Sequence, residues 1–253
     1  IHAPQGWLSA AELEHMAREM AHCLRHRGPD RLGSWVSADG QMAFGHARLS
    51  VVDLTAAGNQ PMTSANGRWT VTYNGEIYNI RTLLEASEMP RSAYRGHSDT
   101  EVLVESIAAY GVPATLERAV GMFAFAAWDQ KRSELWLARD RFGEKPVYYG
   151  CHRGAFVFAS ELKALREIPG FSPSINRDAL TAYFRWTNIP APWTVYEGVW
   201  KLPPGHLLRV CTPISLNEPE AYWSPIEDAA SAPRLPTGDL VLEEFEELFG
   251  RAV

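Results

Sequence analysis

The segment MFAFAAW, residues 122–128, is apolar at every position. A strand with one wet face alternates apolar and polar residues, so an unbroken apolar run predicts a strand covered on both faces by other layers. A single exposed sheet is thereby excluded. Further apolar runs with strand character lie at 42–52, 68–73, 134–138, 146–149 and 156–160, with turn residues between them. Helical segments are interspersed without a regular strand–helix alternation, which favours α+β layers over a doubly wound parallel sheet.

The helices carry their own punctuation. In SAAELEHMAREMAHCL, starting at Ser9, residues Leu13, Met16, Ala17, Met20 and Leu24 recur at helical spacing. Ser9 and Glu12 make a capping box, and Gly28-Pro29 in RHRGPD ends the pattern. Ser98 and Glu101 form a second capping box before VLVESIAAY, closed by Gly111, and Asn176 caps RDALTAYF. Between Val210 and Asp239 the prolines Pro213, Pro219, Pro225, Pro233 and Pro236 follow Pro203-Pro204, and that density reads as a linker. After it, Leu242, Phe245, Phe249 and Ala252 share one face of an amphipathic helix that has nothing to pack on, as if the chain were cut there. The 253 residues suit one large domain plus a fragment of another.

Composition narrows the partners. Hydrophobic residues at 46% exclude a disordered chain. A net charge of -6 argues against nucleic acid, which needs a basic surface, and no run approaches the ~20 apolar residues of a membrane span. Cys23, Cys151 and Cys211 are odd in number and far apart, with no CxxC pair, so a reducing cytoplasm is the expected setting.

Three places carry chemistry. TVTYNGEIYN, residues 70–79, contains Asn74-Gly75, the dipeptide of a tight hairpin turn. The same turn is a good oxyanion hole, because an Asn carboxamide and a glycine N–H can aim at one negative oxygen. Arg48, in HARLSVVD, lies among apolar residues and needs an anionic partner, either in a structural ion pair or as a bidentate receptor for a substrate carboxylate. Asp99, in the first turn of its helix, either complements the helix dipole or receives an ammonium group. Arg48 and Asp99 together would grip an amino-acid head group.

In order along the chain, RHRGPD (25–30), HARLSVVD (46–53), NQPM (59–62), YNGEIYN (73–79), SDTEVL (98–103), ARDRFGEKPVYY (138–149) and FASELKAL (158–165) resemble the glutamine amidotransferase domain of the asparagine synthase (glutamine-hydrolysing) family. The resemblance covers residues 1 to about 223, with 224–238 as a linker and 239–253 similar to the first helix of that family's synthetase domain. It implies a four-layer α-β-β-α sandwich of the N-terminal nucleophile hydrolase type. It also implies that Arg48 binds the glutamine carboxylate, that Asp99 with Glu76 receives the amino group, and that Asn74 and Gly75 form the oxyanion hole. No cofactor is implied for this domain; ATP and magnesium belong to the synthetase domain of the same polypeptide, and a homodimer is compatible with the family.

The family's nucleophile is an N-terminal cysteine whose own α-amine is the general base. This chain begins at Ile1, which is expected to correspond to the end of the first strand, with Met-Cys-Gly upstream. As given, the chain is therefore expected to be inactive, and destabilised by the loss of strand partners. The synthetase pattern Ser-Gly-Gly-x-Asp-Ser is absent. A relative of the β-lactam synthetase kind, with the sandwich but no glutamine hydrolysis, is the alternative; amidotransferase domains of sugar or purine enzymes fit NQPM and RDRFGEKP less well. His22, Cys23 and His26 lack the further ligands of a zinc site. ARDRFGEK is expected to be a turn held by its own ion pairs, and Cys151 and Cys211 to be packing residues.

Overall fold

The computed structural model describes residues 1–51, 53–86, 90–211, 214, 217–231 and 239–252. The chain divides into two units, Ile1–Tyr222 and Trp223–Val253. In the first, six antiparallel strands run in the order β11 (Glu220–Ala221), β10 (His206–Val210), β6 (Glu134–Arg139), β5 (Gly121–Asp129), β4 (Trp69–Ile77) and β3 (Met62–Thr63). The all-apolar run is β5, a central strand, and its two faces serve two different layers. Phe123, Phe125 and Ala127 join a core with α2 (Ile80–Ala86), α3 (Asp99–Tyr110) and α4 (Val112–Arg118) through Leu83, Leu103, Ile107 and Leu116. Ala124, Ala126 and Trp128 point the other way, into a layer shared with Phe44, Val147, Tyr149 and Phe156.

Of these, Phe44, Tyr149 and Phe156 belong to a second sheet. It contains β1 (Arg31–Val36) paired with β2 (Ala43–Arg48), and β8 (Ala155–Ala159), β7 (Tyr148–His152) and β9 (Val199–Lys201) in that order. Residues 1–3 join the two parts. Ile1 N donates to Ala43 O at 2.7 Å, and His2 exchanges backbone bonds with Phe156 at 2.8 and 2.7 Å. On the outer face of this sheet, α1 (Ala10–His22) and α5 (Leu162–Leu165) pack through Leu13, Met16, Ala17, Ala164 and Leu165 against Ala43 and Val157. The order is helices, sheet, sheet, helices, the α-β-β-α sandwich expected from the sequence. α6 (Arg177–Trp186) completes the unit.

Four local expectations differ from the structure. Asn74-Gly75 is no hairpin turn: β4 runs unbroken through it, nine residues paired with β5 from Trp69↔Asp129 to Ile77↔Gly121. Tertiary pairing outweighs the dipeptide's turn preference, and glycine is needed at 75 because a Cβ would meet the carbonyl oxygen of Met122. The second capping box is half formed. Ser98 accepts from Glu101 N at 3.2 Å, but the Glu101 carboxylate turns to Arg95 N, Arg95 Nε and Gly96 N instead. In ARDRFGEK the two buried charges satisfy backbone groups and no ion pair joins them. Arg139 donates to the carbonyls of Lys145, Gly143 and Leu202, and Asp140 accepts from the N–H groups of Phe123, Phe142, Glu144 and Lys145. Cys151 is exposed on β7, where side chains alternate between faces, and so is not a packing residue.

The second unit contains α7 (Pro225–Ser231), within the stretch read as a linker, and α8 (Asp239–Ala252). Residues 232–238 lie outside the described residues. Leu242, Phe245 and Phe249, on one face of α8, are exposed. No helix among the described residues is long and apolar enough to cross a membrane.

Trp128, 1% exposed in the inter-sheet layer, is the largest side chain fully closed in there. Trp128→Ala should cost about 3–5 kcal/mol, read as a fall in the urea midpoint at unchanged slope.

Candidate active site

Strand alternation places the site. Phe44, His46 and Arg48 lie on the face of β2 toward the other sheet, and Thr72 and Asn74 on the facing side of β4. Phe44 closes one end of this layer. Towards the other end β5 offers the small Ala126 and Ala124 before Met122, and a cavity of about 520 Å³ opens, lined by Arg48, Asn74, Gly75, Glu76 and Asp99 among others. All five residues singled out in the sequence thus border one space. Ile1 borders it too; Cys23, Cys151 and Cys211 do not.

Arg48 is buried and held entirely by neutral oxygens. Its Nη1 donates to Thr55 O at 3.0 Å and to Asn59 Oδ1 at 2.7 Å, and its Nη2 donates to Asp53 O. The short 3-10 turn Ala56–Gly58 bends the loop around the guanidinium, and Gly58 is needed because a Cβ there would collide with Nη2. No ion pair neutralises Arg48 among the described residues, so the structural salt bridge is not what this arginine makes. The Asp53 carboxylate ties this cradle down. It accepts from Thr55 N at 2.8 Å, Thr55 Oγ1 at 2.6 Å and His97 N at 3.1 Å, and those bonds hold it at about 2.

Asp99 is also buried and meets only neutral donors. Its Oδ2 accepts from Tyr73 Oη at 2.6 Å and Ile77 N at 3.2 Å, and its Oδ1 from Thr100 N at 2.9 Å. Burial and the neighbouring carboxylate push the Tyr73 hydroxyl far above its ordinary range, so it remains a donor. Glu76 is exposed at the cavity rim.

The backbone of β4 supplies a further donor. Phe123, opposite Gly75, spends its N–H and C=O on Asp140, on the β6 side. Gly75↔Phe123 is therefore a non-bonded pair, and the Gly75 N–H points away from β5. On that outer edge β3 pairs only with Thr70 and Val71. Beyond it, Tyr73 N donates to Gln60 Oε1 at 2.7 Å and Ile77 N donates to Asp99. Between those two, the Gly75 N–H has no acceptor among the described residues, and the Asn74 carboxamide likewise has no protein partner there.

Sequence reasoning missed two residues of this wall. His46 bonds Thr72 Oγ1 through Nδ1 at 3.1 Å, and burial, with a smaller push from Arg48, lowers it to about 4. Gln60 was legible only as part of NQPM. The weaker signals lie elsewhere: His26 meets Glu161 and Lys163, each at 3.2 Å.

The fold is a layered sandwich whose inter-sheet cavity brings together a buried cation with no ion pair among the described residues, a buried carboxylate and spare amide donors. Two solved structures share the fold: a glutamine phosphoribosylpyrophosphate amidotransferase from B. subtilis (TM-score 0.61, 20% identity, 83% of this chain and 47% of that one) and an allosteric regulatory enzyme of purine biosynthesis (TM-score 0.60, 20% identity, 83% and 46%). Residues 5–223 match the family described as glutamine amidotransferase domain, and the chain belongs to that family. It is similar to Amidase chry2 of Gibberella zeae, 34% identical over 201 residues, covering 79% of this chain and 29% of that protein. It is also similar to asparagine synthetase (glutamine-hydrolyzing) 3 of Bacillus subtilis, 36% identical over 192 residues, covering 75% and 31%. A putative asparagine synthetase (glutamine-hydrolyzing) of Mycobacterium tuberculosis is 36% identical over 201 residues, covering 75% and 30%. The chain thus spans less than a third of the length of these relatives.

Between about 4, where folded His46 binds its proton, and the unfolded value of 6.5, the unfolded chain holds more protons, so stability rises with pH across that window. His2, also lowered to about 4, contributes in the same direction. His46→Gln should reduce, without abolishing, the stability gained between about pH 4.5 and about pH 7.5, as urea unfolding at the two pH values would show.

Proposed function

We propose that this chain is the glutaminase domain of a glutamine-dependent synthase of the asparagine synthase type, releasing ammonia for the amidation of aspartate. The observation that carries the reading is the shared cavity. Arg48 offers a cation with no contact ion pair among the described residues to an α-carboxylate, Asp99 and Glu76 offer carboxylates to an α-ammonium, and Asn74 with the Gly75 N–H offers two donors to a developing oxyanion. A free amino acid carrying a side-chain amide matches all three features at once.

In this mechanism a cysteine thiolate attacks the side-chain carbonyl carbon of glutamine. The tetrahedral oxyanion takes hydrogen bonds from Asn74 Nδ2 and Gly75 N–H, and ammonia leaves with the proton taken from the thiol. Water then cleaves the thioester to glutamate. None of the three cysteines borders the cavity whereas Ile1 does, which supports a thiol carried by residues joined ahead of Ile1. Without them the chain is inactive on this reading. The region 224–238 serves as a linker and 239–253 opens a synthetase domain, where ATP and magnesium act. A cytoplasmic setting, which rests on the cysteine usage, and pairing into a homodimer, which rests on the family resemblance, belong to the same reading. The similarity to Amidase chry2 keeps open a different acceptor for the nitrogen, with the same glutaminase chemistry.

The test uses the full polypeptide, beginning Met-Cys-Gly before Ile1, with glutamate release measured against glutamine concentration. Asn74→Ala should lower kcat by about 10²–10³-fold. Arg48→Ala should act mainly on KM, since it removes binding common to ground and transition states. An active protein indifferent to both substitutions would overturn the assignments.

A further inference from the structure

We infer that Gln60 is a positioning residue for the oxyanion donor, an inference that rests on the reading of Gly75 given above. Its side chain behaves as one more residue of β3. Gln60 Oε1 accepts from Tyr73 N at 2.7 Å while Nε2 donates to Tyr73 O at 3.0 Å, the two-way exchange of a bonded antiparallel pair made by a carboxamide instead of a peptide. The same Nε2 reaches Thr100 Oγ1 at 3.3 Å, next to Asp99.

The outer edge of β4 would otherwise be unsupported from Tyr73 to Ile77, and unpaired edge backbone is free to twist. Gln60 pins Tyr73 and Asp99 pins Ile77. The Gly75 peptide hangs between two fixed points, its N–H spare and its direction set. An oxyanion donor accelerates a reaction only when it is already aimed before charge develops. Gln60 thus acts on the reaction through Gly75, from the wall of the same cavity. It also closes a loop of influence: Asp53, Thr55 and Asn59, which hold Arg48, lie on the same loop, so the carboxylate and oxyanion subsites share one support.

Gln60→Leu removes both bonds to Tyr73; Gln60→Glu keeps the shape and the acceptor but, when ionised, cannot donate to Tyr73 O. In the full polypeptide with its upstream residues, Gln60→Leu should lower kcat for glutamine hydrolysis about tenfold or more while KM for glutamine stays within about threefold, because a misaimed donor is lost from the transition state and not from substrate binding. The rate of Gln60→Glu relative to wild type should rise as pH falls, since a protonated carboxyl can again donate to Tyr73 O. A merely structural cap would shift the thermal midpoint without that kcat-selective loss or that pH dependence. Wild-type kcat in both variants, or a loss confined to KM, overturns the inference and leaves the glutaminase reading standing. A wild-type protein that releases no glutamate overturns that reading and this inference with it. Should Gln60→Leu fail to fold, the isosteric Gln60→Glu decides.

Discussion

The last strand of an antiparallel sheet must find partners for its outward N–H and C=O groups, and here the burden falls on β4 because β3 ends after two pairs. The protein answers with side chains. A carboxamide covers Tyr73, a carboxylate covers Ile77, and the peptide between them is left open. Each of those side chains is anchored in something else: Gln60 in the loop that wraps Arg48, Asp99 in the first turn of α3 and in the Tyr73 hydroxyl. Finishing the sheet edge and building the wall of the cavity are therefore one act of construction. That is why residues far apart in sequence meet within one space.

The charges in that wall are arranged to stay available. Burying an ion is costly unless its polar groups are satisfied, and an ion pair is the common solution. Neither Arg48 nor Asp99 takes it. Carbonyl and carboxamide oxygens satisfy the guanidinium, and backbone amides and a phenol satisfy the carboxylate, so each group keeps its hydrogen bonds and its net charge. A cavity with a positive and a negative group, neither in a contact ion pair among the described residues, favours a zwitterion over a neutral molecule of equal size. His46, kept neutral by burial beside Arg48, adds a polar contact to this wall without a second positive charge.

Much of this was legible because strand periodicity is a strong signal when both faces are buried. MFAFAAW led directly to a central strand between two cores, Arg48 stood out as a charge in apolar surroundings, Asn74-Gly75 as a paired donor motif and Asp99 by its place in a first helical turn, whereas Glu76 came only with the family resemblance. Asn74-Gly75 was misread as a turn because the dipeptide's local preference is visible in sequence while the pairing of β4 with β5 across 69–77 is not. The role of Glu101 was missed for the same reason: Ser98 and Glu101 have capping-box spacing, but the Arg95 and Gly96 amides offer that carboxylate more bonds. β1 (RLGSWV) escaped notice since none of its residues is fully buried and its pattern is not alternating. Gln60 could not be found at all from composition or spacing; a glutamine acting as a strand residue is defined only by the edge it completes.

The position of the cavity follows from side-chain volume along two facing strands. On β5, the residues turned toward the second sheet shrink from Trp128 to Ala126 to Ala124, opposite Thr70, Thr72 and Asn74 of β4. On β2 the sequence from Phe44 through His46 to Arg48 runs from apolar to charged. Where both strands are large and apolar the sheets close on each other; beside Ala126 and Ala124 they cannot, and the space left is bordered by Met122 at the start of β5 and by the polar ends of β2 and β4. Interiors at crystal-like density tolerate few voids, so a taper of this size reserves room for a ligand at the expense of packing. The apolar end supplies the cohesion that lets the polar end remain open, and one period-two pattern read along two strands encodes both.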